Sequence, residues 1–306
     1  MKFSLGQPSI VASLVLLPIL AGSQVTNDGS LSLIRNDGLE GWAVEHNSPQ
    51  NAYVSGGVLT AAEGAGWLRI ERIVKNFNLH VEGRLLSGGH ALFVVGGHGT
   101  TREPVGYVLP FLSGADTTVP PQMTVLAFNQ SGIERARRDP NGWQVYDIRC
   151  DGAHLTVMLN GALVIAESIE RNCEGWIGLR VEGGSLELRN AVVRAADPEK
   201  QEEWARTSLY LPGTSVTIPR LRRDVKPHYT ADAMRARVAG VVLLECVVGT
   251  DGRVSDVRIA RSLDPVFGLD QEAMKAAKRW QFDPAKRFGE PVPVVITIEM
   301  TFTLGK

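Results

Sequence analysis

Along most of this chain apolar residues recur two apart, the spacing of a half-buried strand, and a helical period shows only near the end. Leu155, Val157 and Leu159 lead into Asn160-Gly161, and Leu163 and Ile165 resume the pattern. Asn-Gly between two such runs predicts a hairpin, because both turn residues accept positive φ. Leu79–Val81 with Leu85, Ala91–Val95, Met123–Phe128, Val145–Cys150, Trp176–Gly178 and Leu186–Val193 read as further strands. Strands recurring at this spacing predict a β-sandwich over about residues 31–195. The last eighty or so residues differ. Thr230 is placed to cap a short helix through Arg237. Gly240–Val248 and Val254–Ala260 form a hairpin across Asp251-Gly252, with Val257 and Ile259 toward the core and Asp256 and Arg258 toward water. Asp270 is the expected N-cap of an amphipathic helix ending at Trp280, with Leu269 and Met274 as its hydrophobic staple. Phe282-Asp283-Pro284 stops that helix, and Val292–Leu304 is the closing strand. Pro291 and Pro293 at its start suit a sheet edge.

The bulk chemistry narrows the partners. Apolar residues make up 44% of 306, and 32 basic residues face 33 acidic ones. This balance offers no electrostatic case for nucleic acid or an acidic membrane. Lys2, the apolar run Ile10–Leu20 and the small residues Ala21-Gly22-Ser23 read as an export signal, 1–23, with cleavage after Ser23. Retention of the run as an anchor is the alternative. The mature chain is expected to be soluble and periplasmic.

Three cysteines are present. Two chain reversals place Cys150 and Cys173 at the same end of a meander, so an exported chain can bridge them. Cys246 falls on the strand face of Val242, Leu244 and Val248 and reads as a small buried apolar residue. Neither a metal nor a cofactor is implied, since no Cys or His pair has ligand spacing. Residues 197–226 read as a linker with a short helix. Its Arg220, Arg222, Arg223 and Lys226 either solvate it or touch an anionic polymer.

The series Pro227-x-Tyr229, Gly240–Val248, Asp251-Gly252-x-Val254, Gly268-Leu269-Asp270, Ala273 and Trp280-x-Phe282-x-Pro284 resembles the TonB C-terminal domain. The resemblance implies a periplasmic domain over 227–306. It also implies pairing of a sheet edge with an extended segment of an outer-membrane transporter. Backbone hydrogen bonds then supply affinity and side-chain pockets supply selectivity. The acceptor would be Val294, Val295, Ile296, Thr297, Ile298, Glu299, Met300, Thr301 and Phe302. Closure of the sheet by this strand, or a homodimer through it, is the competing use. A force transducer of this family needs a membrane helix and a long proline-rich spacer. Here a folded β domain stands in place of the spacer.

Leu39-x-Gly41-Trp42, Gly56-Gly57-Val58-Leu59, Gly142-Trp143-x-Val145-Tyr146-Asp147-Ile148 and Gly175-Trp176-Ile177-Gly178-Leu179 resemble the 3-keto-disaccharide hydrolase domain, a concanavalin-like jelly roll. Members act on or bind sugars. Where the family carries Gly-Tyr-Glu, this chain reads Gly106-Tyr107-Val108, so the obvious proton donor is missing. His98 and Asp116 are the remaining candidates for base and orienting acid. Trp67, after Gly64-Ala65-Gly66, is the expected exposed ring for stacking on sugar, with Trp42 as a second, while Trp143 and Trp176 read as core.

Together these readings predict two domains. Residues 24–196 form an all-β jelly-roll sandwich. Residues 227–306 form an α+β unit, αββαβ, with a three-stranded antiparallel sheet. The expected function is extracytoplasmic peptide capture with a lectin-like glycan-binding domain. A sugar hydrolase and a membrane-anchored energy transducer are the rivals.

Overall fold

The computed structural model describes residues 26, 28–35, 38–45, 51–98, 105–111, 123–136, 142–169, 173–206, 209–213 and 215–304. The export segment and Asp116 lie outside the described residues.

The N-terminal region is an all-β, jelly-roll-like sandwich. Two long strands, Phe77–His98 and Trp176–Ala195, run antiparallel along their whole lengths and pass through both layers. Residues 77–86 pair with 195–185 and carry Gln144–Asp151, His154–Leu159 and Ala162–Ser168 on one side, Val58–Ala62 and Ala52–Ser55 on the other. Residues 90–97 pair with 183–176 and belong to a second layer with Val105–Phe111, Met123–Val125, Trp67–Ile70 and Trp42–Glu45. Between the halves, the register shifts on both sides of Gly183. A bulge of this kind raises local twist and lets one strand turn a corner between sheets. The predicted hairpin is present, with Asn160 at φ 47° and Gly161 at φ 80°. Cys150 and Cys173 are bridged across a Cα separation of 5.9 Å.

The C-terminal region keeps the predicted order. Ala231–Arg235 is helical, and the Thr230 side chain accepts from the Ala233 amide. Gly240–Val248 pairs with Val254–Arg261 on one side and with the terminal strand Val294–Phe302 on the other. The helix Leu269–Ala277 lies across one face and buries Leu269, Ala273, Ala276 and Ala277.

Three local expectations are corrected. The helix begins after Gly268, at φ 90°, with no side-chain cap, and ends at Ala277. Asp270 instead turns back into the preceding loop. Its carboxylate accepts from Ser262 Oγ at 2.5 Å and from the amides of Leu263 and Asp264 at 3.0 and 3.1 Å. Ile259 is exposed, because the helix spans only about 14 Å at ~1.5 Å per residue and leaves part of the longer hairpin uncovered. Finally, the three-stranded sheet does not end at three strands. It runs Val254–Arg261, Gly240–Val248, Val294–Phe302, Leu209–Tyr210, Arg72–Ile73, so the linker and the sandwich each add a two-residue strand.

Candidate functional site

The terminal strand meets Gly240–Val248 in nine consecutive antiparallel pairs, from Gly240↔Phe302 to Val248↔Val294. On its outer side Tyr210 pairs with Val294, and the Tyr210 amide donates to Pro293 O at 3.0 Å. Beyond Val294, no other strand pairs with this outer edge among the described residues. Among the described residues, the strand therefore has no pairing strand along most of this edge, the template that β-augmentation uses. Alternation divides its side chains between two surroundings. Val294, Ile298, Met300 and Phe302 are buried with the helix. On the other face Val295 packs into the sandwich core, Thr297 is half-buried, and Glu299 and Thr301 are exposed.

The half-open edge is fixed by the neighbouring domain. Glu71, 2% exposed, accepts from the Ser215 amide at 2.9 Å and from its hydroxyl. Its own carbonyl accepts from the Leu211 amide at 2.9 Å, and Arg69 Nη2 donates to Pro212 O at 3.0 Å. These contacts clamp Leu211, Pro212 and Ser215 and seat Leu209–Tyr210 at the start of the terminal strand. A β-carbon at position 213 would collide with the Glu71 carboxylate, so glycine is required for this close approach.

The proposed sugar-site residues are placed differently from expectation. Trp67 is 5% exposed and Trp42 1%. Trp67 sits in an inner strand of the second layer, edge-on to Trp176 at 6.3 Å, with the Arg180 guanidinium 5.6 Å from its ring centroid. Trp42 Nε1 donates to Leu33 O inside the core at 2.5 Å. Neither ring offers a face to solvent, because the strands that carry them are paired on both sides or packed between layers. Trp143 is buried as expected, between the guanidiniums of Arg84 and Arg189 at 4.7 and 4.0 Å. Val108 is fully buried opposite Val94, so nothing at this position can move a proton.

His98 ends its long strand and turns to the C-terminal domain instead of an open loop. Arg258 Nη2 lies 2.9 Å from His98 Nδ1, and Arg258 Nε donates to Glu245 Oε2 at 2.5 Å. Glu245, 7% exposed, stands 3.9 Å from His98 Nδ1. With its ring held here, His98 is a joint between domains. Glu245 and Arg258 had no signal in the sequence, since the pairing that unites them with His98 spans 160 residues.

The sandwich also carries a cavity of about 640 Å³ that sequence patterns did not mark. Its wall includes Asn76, Arg149, Asp151, Asp197 and Trp204. Arg149 bridges from Asp151 at 2.8 Å to Ala196 O at 3.1 Å, and Trp204 Nε1 donates to Lys75 O at 2.7 Å. Among the described residues, no group of three or more His, Cys, Asp or Glu could hold a metal ion, and no helix is long and apolar enough to cross a membrane.

The chain belongs to the 3-keto-alpha-glucoside-1,2-lyase-like domain family, whose model matches residues 29–194. Residues 225–304 match the Gram-negative bacterial TonB protein C-terminal model. Protein tonB2 of Pseudomonas aeruginosa is 38% identical over 79 residues, covering 26% of this chain and 29% of that protein. Protein TonB of Escherichia coli is 37% identical over 76 residues, covering 24% of this chain and 31% of that protein. The chain thus spans about three tenths of the length of these curated relatives. A candidate glycosyl hydrolase of Parabacteroides distasonis superposes with a TM-score of 0.41 at 19% identity, over 54% of this chain and 98% of that one. The carbohydrate binding module CBM66 of Bacillus subtilis gives a TM-score of 0.29 at 15% identity, over 49% and 93%.

Proposed function

We propose that this protein is a non-catalytic adaptor of the bacterial envelope. Its C-terminal domain captures an extended segment of a TonB-dependent transporter by strand addition to the outer edge of residues 295–302. Its sandwich domain holds a glycan or cell-wall polymer, and the polar cavity beside Arg149 and Trp204 is the place for it. The export segment read at residues 1–23 puts both activities in the periplasm.

One observation carries the reading: a nine-residue strand is paired fully on one side and, among the described residues, only at Val294 on the other. Val108 in place of a carboxylate, and His98 engaged by Arg258, argue for binding over sugar cleavage.

Amide hydrogen exchange on the full chain tests the capture step. With a synthetic peptide from the N-terminal extension of such a transporter, the amides of 296–302 that exchange freely in the unbound protein gain protection. Protection of that whole stretch before peptide is added, or no gain after it, rejects the proposal. A glycan array with wild type and Arg149→Ala tests the sugar arm. Binding unaffected by the substitution moves the site away from the cavity.

A further inference from the structure

Residues 216–223 and 281–291 form a ribbon at the surface of the C-terminal domain. Arg220 pairs with Asp283, Leu221 with Phe282, and Arg223 with Gln281. Val216 bridges to Arg287, and the Thr217 amide donates to Lys286 O at 2.9 Å. The ribbon differs from the rest of the surface in charge and in exposure. It holds five cations (Arg220, Arg222, Arg223, Lys286, Arg287) against two acids (Asp283, Glu290), in a chain whose net charge is -1. Lys226 follows closely, with Asp224 beside it. Every residue from Arg220 to Arg223 is exposed. Arg222 pairs with Asp283 at 2.6 Å.

Large apolar side chains of the same ribbon are also exposed, and the Arg287 guanidinium lies 5.0 Å from the Phe288 ring centroid. Ile218 is 77% exposed, Phe288 50% and Leu221 45%. A merely solvated linker has no use for them, and a polyanionic sugar would be met by the cations alone. Aliphatic and aromatic side chains interleaved with arginine are what an anionic bilayer surface accepts. The apolar groups enter the boundary below the headgroups, and the guanidiniums stay with the phosphates.

We propose that this ribbon docks on a membrane surface rich in anionic phospholipid. The contact is peripheral and uses none of residues 295–302, so its test does not depend on peptide capture.

The test is flotation of the full chain with phosphatidylcholine vesicles, with and without phosphatidylglycerol. The wild type is expected to float with the anionic vesicles at low salt and to be released by high salt. Each basic residue near an anionic surface contributes enough that R220E/R223E should lower partitioning at least about tenfold. I218S/F288S should weaken it with little change in salt dependence. Both variants alter exposed residues, and unchanged thermal melting checks that they fold. Comparing variants with wild type isolates the ribbon from any other membrane contact of the chain. Equal flotation of R220E/R223E, or equal binding to neutral vesicles, overturns the proposal. So does retention on dextran sulfate without flotation, which would assign the ribbon to an anionic polysaccharide.

Discussion

Asp264 and Asp270 organise the loop before the C-terminal helix from opposite ends. Asp264 accepts from the amides of Val266, Phe267 and Leu269 at 3.0, 2.8 and 3.1 Å. Burial would raise its pKa, but those three amides outweigh it and hold the carboxyl below its ordinary value of 3.8. A depressed carboxyl stabilises the fold above its unfolded pKa, and that contribution disappears as pH falls through the folded one. Wild-type melting should therefore fall off more steeply below about pH 4 than that of Asp264→Asn. Asp270→Ala removes three hydrogen bonds at a site 1% exposed, and a loss of about 3 kcal/mol is expected in urea unfolding. Cys246 shows how burial, with nearby acids, suppresses reactivity. Desolvation, then Glu245 and Asp256, pushes its thiol up to about 12. A thiol reagent at pH 8 should leave the native protein unlabelled and modify Cys246 only after unfolding.

At the level of elements, the chain's own turns and cross-links fix where strands begin and end. Gly252 sits at φ 78° in the C-terminal hairpin, and a β-carbon there would run into Phe282 O. The Gly252 carbonyl also accepts from the Phe282 amide at 2.8 Å. Gly252→Ala should cost at least about 1–2 kcal/mol from backbone strain alone, read from the midpoint of chemical unfolding. The Cys150–Cys173 bridge closes a loop of 23 residues at one end of the sandwich. Its reduction, or Cys150→Ala/Cys173→Ala, should destabilise that domain by about 3 kcal/mol, with less effect on the terminal-strand edge. The Asp-Gly and Asn-Gly turns, the Thr230 cap and the alternating strands were legible because each depends on neighbours within a few residues. Asp270 was misassigned because position alone cannot tell a cap from a carboxylate folded back on the preceding loop.

On the scale of the whole molecule, the two domains share a sheet and a polar joint. Arg72–Ile73 from the sandwich and Leu209–Tyr210 from the linker extend the C-terminal sheet. The Arg72 guanidinium lies 5.8 and 5.7 Å from the ring centroids of Trp204 and Tyr210. The joint of His98, Arg258 and Glu245 closes the interface from the other side. Such coupling should make the domains unfold together. In calorimetry the wild type is expected to show one main transition, and Glu71→Ala/Glu245→Ala should separate it into two. Two resolved transitions in the wild type would mean that the interface contributes little to cooperativity.

Periodicity, turn residues and cap residues suffice for the order of the main C-terminal elements, the sandwich class, the Cys150–Cys173 bridge and the buried state of Cys246. All of these follow from local backbone preference and from which face of a strand is apolar. What the tertiary structure alone decided is where those elements meet. It buried Trp67 and Trp42, turned His98 toward Arg258, and covered the start of the terminal strand with Tyr210, while among the described residues no strand pairs with the rest of that edge. Each outcome rests on contacts between residues far apart in the chain, and the pattern around either partner carries no record of the other.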